Sequence, residues 1–239
     1  MTKNSDTLKT NGILFSIWDN SHNYSYLKTN GIQFCPILYS RTIGDTYVNG
    51  LALSFFNEYY RINGLKIALF FSRDIRINGC SLSLLNYDER INGLQLGFFN
   101  KNYNSESIIN GVQIGVFNFC LTDVNGLQAG FINSCNNRGL QVGALNFSDK
   151  GYQVGLINIA GDGNEYLDNI NKITDRTYQL GFINSCWNPK IQIGIFNWSR
   201  NAKFQIGIIN IRANNKKWAR ILPIVNFKNE RKLEIYGSD

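Results

Sequence analysis

Few side chains in this 239-residue chain could do chemistry. General acid–base catalysis needs a tuned His or a pair of converging carboxylates. His22 is the single His, and it sits in DNSHNYS, a polar stretch expected to be a solvated loop. No paired Asp/Glu recurs at one phase, and no G-x-S-x-G elbow is present. GDGNEYLD (161–168) offers Asp162, Asn164 and Asp168 as oxygen donors, but it lacks the spacing and closing Glu of an EF-hand and is expected to be a polar turn. Five Cys with no CxxC pair disfavour a zinc site or a disulfide framework. The expectation is no catalytic, cofactor-binding or metal-binding residue, no cofactor, and no enzymatic activity.

Two sets of residues do share a phase. Arg61, Arg76 and Arg90 each stand two residues before an Asn-Gly pair. Stacked, they would form a solvated edge that discourages sheet association, or else a site for phosphate or carboxylate. Cys120, Cys135 and Cys186 are each the ninth residue after the first residue of a repeat. If repeats stack in parallel, Cys120 and Cys135 fall about one strand spacing apart, within disulfide range.

That phase belongs to an eight-residue unit. GLQVGALN (139–146), GYQVGLIN (151–158), TYQLGFIN (177–184), KIQIGIFN (190–197) and KFQIGIIN (203–210) are copies of it, as are GLQLGFFN (93–100), GVQIGVFN (111–118) and GLQAGFIN (126–133). Weaker copies begin at Gly12, Gly31, Gly50, Gly64 and Gly79, and ILPIVN ends a last one at Asn226. These are about fourteen units, recurring every dozen or so residues, the signature of a repeat architecture.

Positions two, four, six and seven are apolar, position three is mostly Gln, position five is small and position eight is mostly Asn. Alternation through two to six is a strand period. A corner or bulge between six and seven would turn both toward the core, and Phe and Tyr would mostly occupy core phases. Position seven facing outward would instead give a sticky stripe. The fold class is all-β.

Two architectures accommodate such strands. In a parallel β-solenoid of about fourteen short coils, each Asn and each Gln can bond to its equivalent in the next coil. In an antiparallel meander closing into a barrel, the recurrent Asn-Gly pairs (11–12 through 125–126) would be hairpin turns. Thr177, Lys190 and Lys203 replace that Gly later, so the turn is not compulsory. The solenoid is the preferred reading. The expected organisation is a tail over 1–10, a repeat domain over 11–226 with a degenerate coil or an insertion at 160–176, and a C-terminal tail over 227–239.

The motif G-[VLY]-Q-[IVL]-G-[FLIV]-[IFL]-N, over about residues 11–226, resembles the bacterial surface-repeat proteins with GVQIGLVN-type units. The closing LEIYGSD (233–239) is similar to the segment after the repeats in some of them. The resemblance implies a bacterial surface or outer-membrane protein of unassigned activity. MTKNSDTLKTNG has no basic region followed by an apolar core, so no signal peptide is expected, and no apolar run approaches a membrane-spanning helix.

A net charge of +7 favours anionic neighbours. Sequence-specific nucleic-acid binding is not expected. The leading expectation is a structural or interaction protein presenting repeated surfaces to a protein or anionic partner. An outer-membrane β-barrel with apolar positions facing lipid is the alternative, and a carbohydrate-active β-helix enzyme would need an acidic column that is not visible.

Overall fold

The computed structural model describes residues 7–16, 26–39, 45–102, 108–121, 124–136, 139–161 and 177–228. They separate into two compact units, Met1–Gly139 and Leu140–Asp239. Unit one holds β1 (Thr7–Phe15), β2 (Tyr26–Phe34), β3 (Ile37–Tyr39), β4 (Asp45–Tyr87), β5 (Arg90–Leu96), β6 (Phe99–Asn102), β7 (Ile108–Ile114), β8 (Phe117–Cys120) and β9 (Val124–Cys135). Unit two holds β10 (Leu140–Ser148), β11 (Tyr152–Ala160), β12 (Thr177–Cys186), β13 (Pro189–Ile193), β14 (Phe196–Ser199), β15 (Phe204–Arg212) and β16 (Ile221–Phe227).

Within each unit, successive parallel strands lie with like positions in register. Gly12 meets Gly31, which meets Gly50, and Gln95 meets Gln113, which meets Gln128. In unit two Gln153 meets Gln179 and Asn158 meets Asn184. The chain is a parallel β-solenoid, and the antiparallel barrel is not what it forms. Tyr152 pairs with Tyr178 and Ala160 with Cys186, so β12 stacks directly on β11; residues 162–176, within the stretch expected to be a degenerate coil or an insertion, lie outside the described residues.

The distribution of polarity corrects the expected core. Gln113, Gln128, Gln141 and Gln192 are buried, and so are Asn100, Asn118, Asn146 and Asn184. The apolar positions four, six and seven face outward: Leu156 is 53% exposed, Phe182 56% and Ile208 66%. A coil of about a dozen residues encloses too narrow a space for two walls of Phe and Leu at interior packing density. Amides stacked one strand spacing apart fill that space and satisfy one another. Small apolar columns remain inside unit one, where Ile91, Ile109 and Val124 lie with Cys120 and Cys135.

Position five shows why the walls can close so tightly. A Cβ on Gly181 would lie 2.1 Å from the Gly155 carbonyl oxygen and 2.5 Å from Asn158 Nδ2. The glycines of the Asn-Gly pairs have another role, and here the hairpin expectation fails. Gly64 and Gly79 sit at φ 133° inside β4, each an extra residue between two outward side chains, as in a bulge. Where Lys190 takes the Gly place the register slips: Thr177 meets Pro189 and Tyr178 meets Ile191.

The last expected copy does not add a parallel coil. β16 runs antiparallel along β15, with Gln205 opposite Asn226. A short 3-10 turn at Lys217–Ala219 reverses the chain. The returning strand covers the edge of β15, and its Pro223, which lacks an N–H, suits such an edge strand.

Candidate interaction surfaces and the polar interior

Three amide ladders run along the coils. In the outer one, in unit one, Asn30 Nδ2 donates to Asn11 Oδ1 at 2.8 Å, Asn49 to Asn30 at 2.8 Å and Asn63 to Asn49 at 2.8 Å, continuing to Asn125 on Asn110 at 3.1 Å. The two inner ladders have opposite polarity. Asn100 Nδ2 donates forward to Asn118 Oδ1 at 2.8 Å, whereas Gln113 Nε2 donates back to Gln95 Oε1 at 2.7 Å. Unit two repeats this: Asn184 donates to Asn197 at 2.8 Å, and Gln192 to Gln179 at 2.7 Å. In unit two the inner amides also donate to backbone carbonyls, Asn184 to Ile193 at 2.9 Å and Gln192 to Trp198 at 3.0 Å. The ladders break where a neighbour lacks an amide. Gln33 lies between Leu14 and Ala52, and among the described residues its Oε1 has no partner; nor have the two amide atoms of Asn57, beside Leu38.

The phase-sharing arginines do stack. Arg76 pairs with Arg90, and Arg61 donates from Nη1 to the Tyr47 hydroxyl at 2.7 Å with its guanidinium 5.1 Å from that ring's centre. The column extends further than the repeat pattern suggested, because Lys9 meets Lys28 and Lys28 meets Tyr47. Like charges directly opposite each other on neighbouring strands are unfavourable unless an anion lies over them.

In unit two the position-five glycines form the floor of a shallow apolar groove. Gly155, Gly181 and Gly194 lie beneath Val154, Leu180 and Ile193 on one side and Leu156, Phe182 and Ile195 on the other. The corner where repeats begin is aromatic and basic. Tyr152 stacks on Tyr178 at 4.8 Å, Lys190 Nζ lies 5.3 Å from the Tyr178 ring centre, and Arg200 lies 5.2 Å from that of Trp187.

Cys120 and Cys135 fall in one inward column, set by the pairing of Phe119 with Ser134, and both are buried thiols. Cys186 occupies the same phase in unit two and is also buried. His22, Asp162, Asn164 and Asp168 lie outside the described residues. Among the described residues no three His, Cys, Asp or Glu side chains are placed to hold a metal ion, and no helix is long and apolar enough to cross a membrane.

One cluster went unnoticed in the sequence. Lys66, Ser72, Asp74 and Asp88 are all buried within unit one. Lys66 Nζ contacts Ser72 Oγ and Asp74 Oδ2 and lies 3.4 Å from Asp88 Oδ1. Gln95 Nε2 donates to Asp88 Oδ2 at 2.8 Å, joining the cluster to the Gln ladder. The clue was present: Lys66 stands at position three, the place of Gln.

No family model, curated protein or solved structure matches the chain.

Proposed function

We propose that the chain is a non-enzymatic structural and interaction protein whose repeated outward surfaces meet an anionic lipid layer. One observation carries this reading: amides fill the interior while Leu156, Phe182, Ile195 and Ile208 face outward. A lipid environment favours that polarity, because polar groups satisfied internally cost nothing there and apolar rows are no longer in water. Lys and Arg beside aromatic rings, as at Lys190 on Tyr178, suit a headgroup boundary. The column of Lys9, Lys28, Arg61, Arg76 and Arg90 adds attraction to negative headgroups, about 1 kcal/mol per basic residue near such a surface. The resemblance to bacterial surface-repeat proteins is in keeping with a place at a cell boundary.

Flotation with vesicles tests the reading. The protein is expected to rise with vesicles containing phosphatidylglycerol, less with neutral ones, and to lose part of the binding in high salt. Replacing Arg61, Arg76 and Arg90 together by Gln is expected to remove most of the preference for anionic vesicles. A monodisperse protein that stays at the bottom of the gradient with both vesicle types would contradict it.

A further inference from the structure

The Lys66 cluster contributes nothing to an outward surface. It is sealed inside unit one, across two successive coils, so any chemistry it performs is on itself. Lys66 Nζ contacts the Asp74 carboxylate from across the interior, and the two residues are eight apart on the same strand, β4. Asp88 Oδ1 stands 3.4 Å from Nζ and 3.2 Å from Ser72 Oγ, while its Oδ2 is held by Gln95 at 2.8 Å. Ser72 Oγ also lies 3.3 Å from Asp74 Oδ2. The next repeat has the short Ser81 at position three, which leaves room for the Lys side chain to reach both carboxylates.

A buried ammonium with two buried carboxylates is expensive to hold as separate ions. Passing a proton from Nζ to the Asp74 carboxylate gives a neutral amine facing a neutral carboxylic acid, the two halves of an amide. Both are held in place, so the reaction needs no encounter, and the surroundings are dry.

We propose that Lys66 and Asp74 condense into an isopeptide bond, with Asp88 as the proton carrier. The Nζ lone pair attacks Asp74 Cγ, forming the C–N bond. The Asp88 carboxylate takes a proton from the nitrogen and delivers it to the departing hydroxyl. The C–O bond breaks and one water leaves. No oxidant or other reactant is required, and Asp88 ends as it began. Ser72 holds the two carboxyl groups in position. The product is a covalent brace between the two walls of a coil in the region where the amide ladders are interrupted.

The test is the intact mass of the purified full chain, denatured and reduced, followed by tandem sequencing of its peptides. The expected result is a chain lighter by one water molecule, with a branched peptide joining Lys66 to Asp74. Asp88→Asn is expected to give the full, unlinked mass while keeping the β-rich circular dichroism of the parent. A parent chain of full mass, with unmodified Lys66 and Asp74 peptides, would overturn the proposal and leave an ion pair only. So would a water loss mapped to Asp162-Gly163, or a link from Lys66 to Asp88. Because the parent chain itself is measured, the test does not depend on any variant folding.

Discussion

Asn158 donates from Nδ2 to Oδ1 of Asn184 at 2.8 Å, across 26 residues of sequence. Gln179 returns a bond to Gln153 at 2.7 Å over the same separation. The two inner ladders therefore pass from β11 to β12 without a missing rung. Elsewhere, Ser148 reaches Gly151 through only Asp149 and Lys150.

Replacing residues 161–176 by Asp-Lys is therefore expected to leave a folded solenoid. Loop-closure entropy changes by only about 0.6 kcal/mol per halving of loop length. Urea denaturation of the shortened chain checks this, and the midpoint should be equal or slightly higher.

Two asparagines at the same phase should respond oppositely. Asn158→Leu removes donors from Asn184 Oδ1 and the Leu180 carbonyl, and is expected to cost about 1–3 kcal/mol. Asn57 has no partner for either amide atom among the described residues, so Asn57→Leu is expected to be neutral or stabilising. Denaturant melts of the pair measure the difference directly.

Glycine substitutions separate crowding from backbone strain. Gly181→Ala forces a Cβ against the Gly155 carbonyl and Asn158, an overpacking expected to cost about 1–3 kcal/mol or more. Gly12→Ala meets no atom within 4 Å and bears only the cost of φ 113° in β1. It should shift the melt less than Gly181→Ala does.

Thiol labelling reports the interior. Cys35, Cys120, Cys135 and Cys186 are buried and should be protected in the native chain. Cys80 is half-buried, and burial pushes its thiol pKa up, so less thiolate is present at neutral pH than for an open cysteine. Alkylation should strike Cys80 first, more slowly than a surface thiol, with a rate still rising above the usual thiol range. Mass mapping of labelled peptides over a pH series measures this.

The parallel stack was legible because Asn recurs at position eight and Gln at position three, and only stacking gives such columns a common purpose. The side they face was not legible from residue type. Leu156 and Phe182 look like core residues, and only the narrowness of the coil puts them outside. The Asn-Gly pairs misled for a related reason: positive φ serves a bulge as well as a hairpin. Asp74 and Asp88 left little trace, since they reach Lys66 only after the coil closes.

The central claim, amides inside and apolar rows toward lipid, is tested most directly by an environment-sensitive fluorophore on a cysteine replacing Leu156. Its emission is expected to shift to the blue on adding phosphatidylglycerol vesicles and to be quenched by brominated acyl chains. Emission that stays at its value in water while the protein is bound to those vesicles would contradict the account.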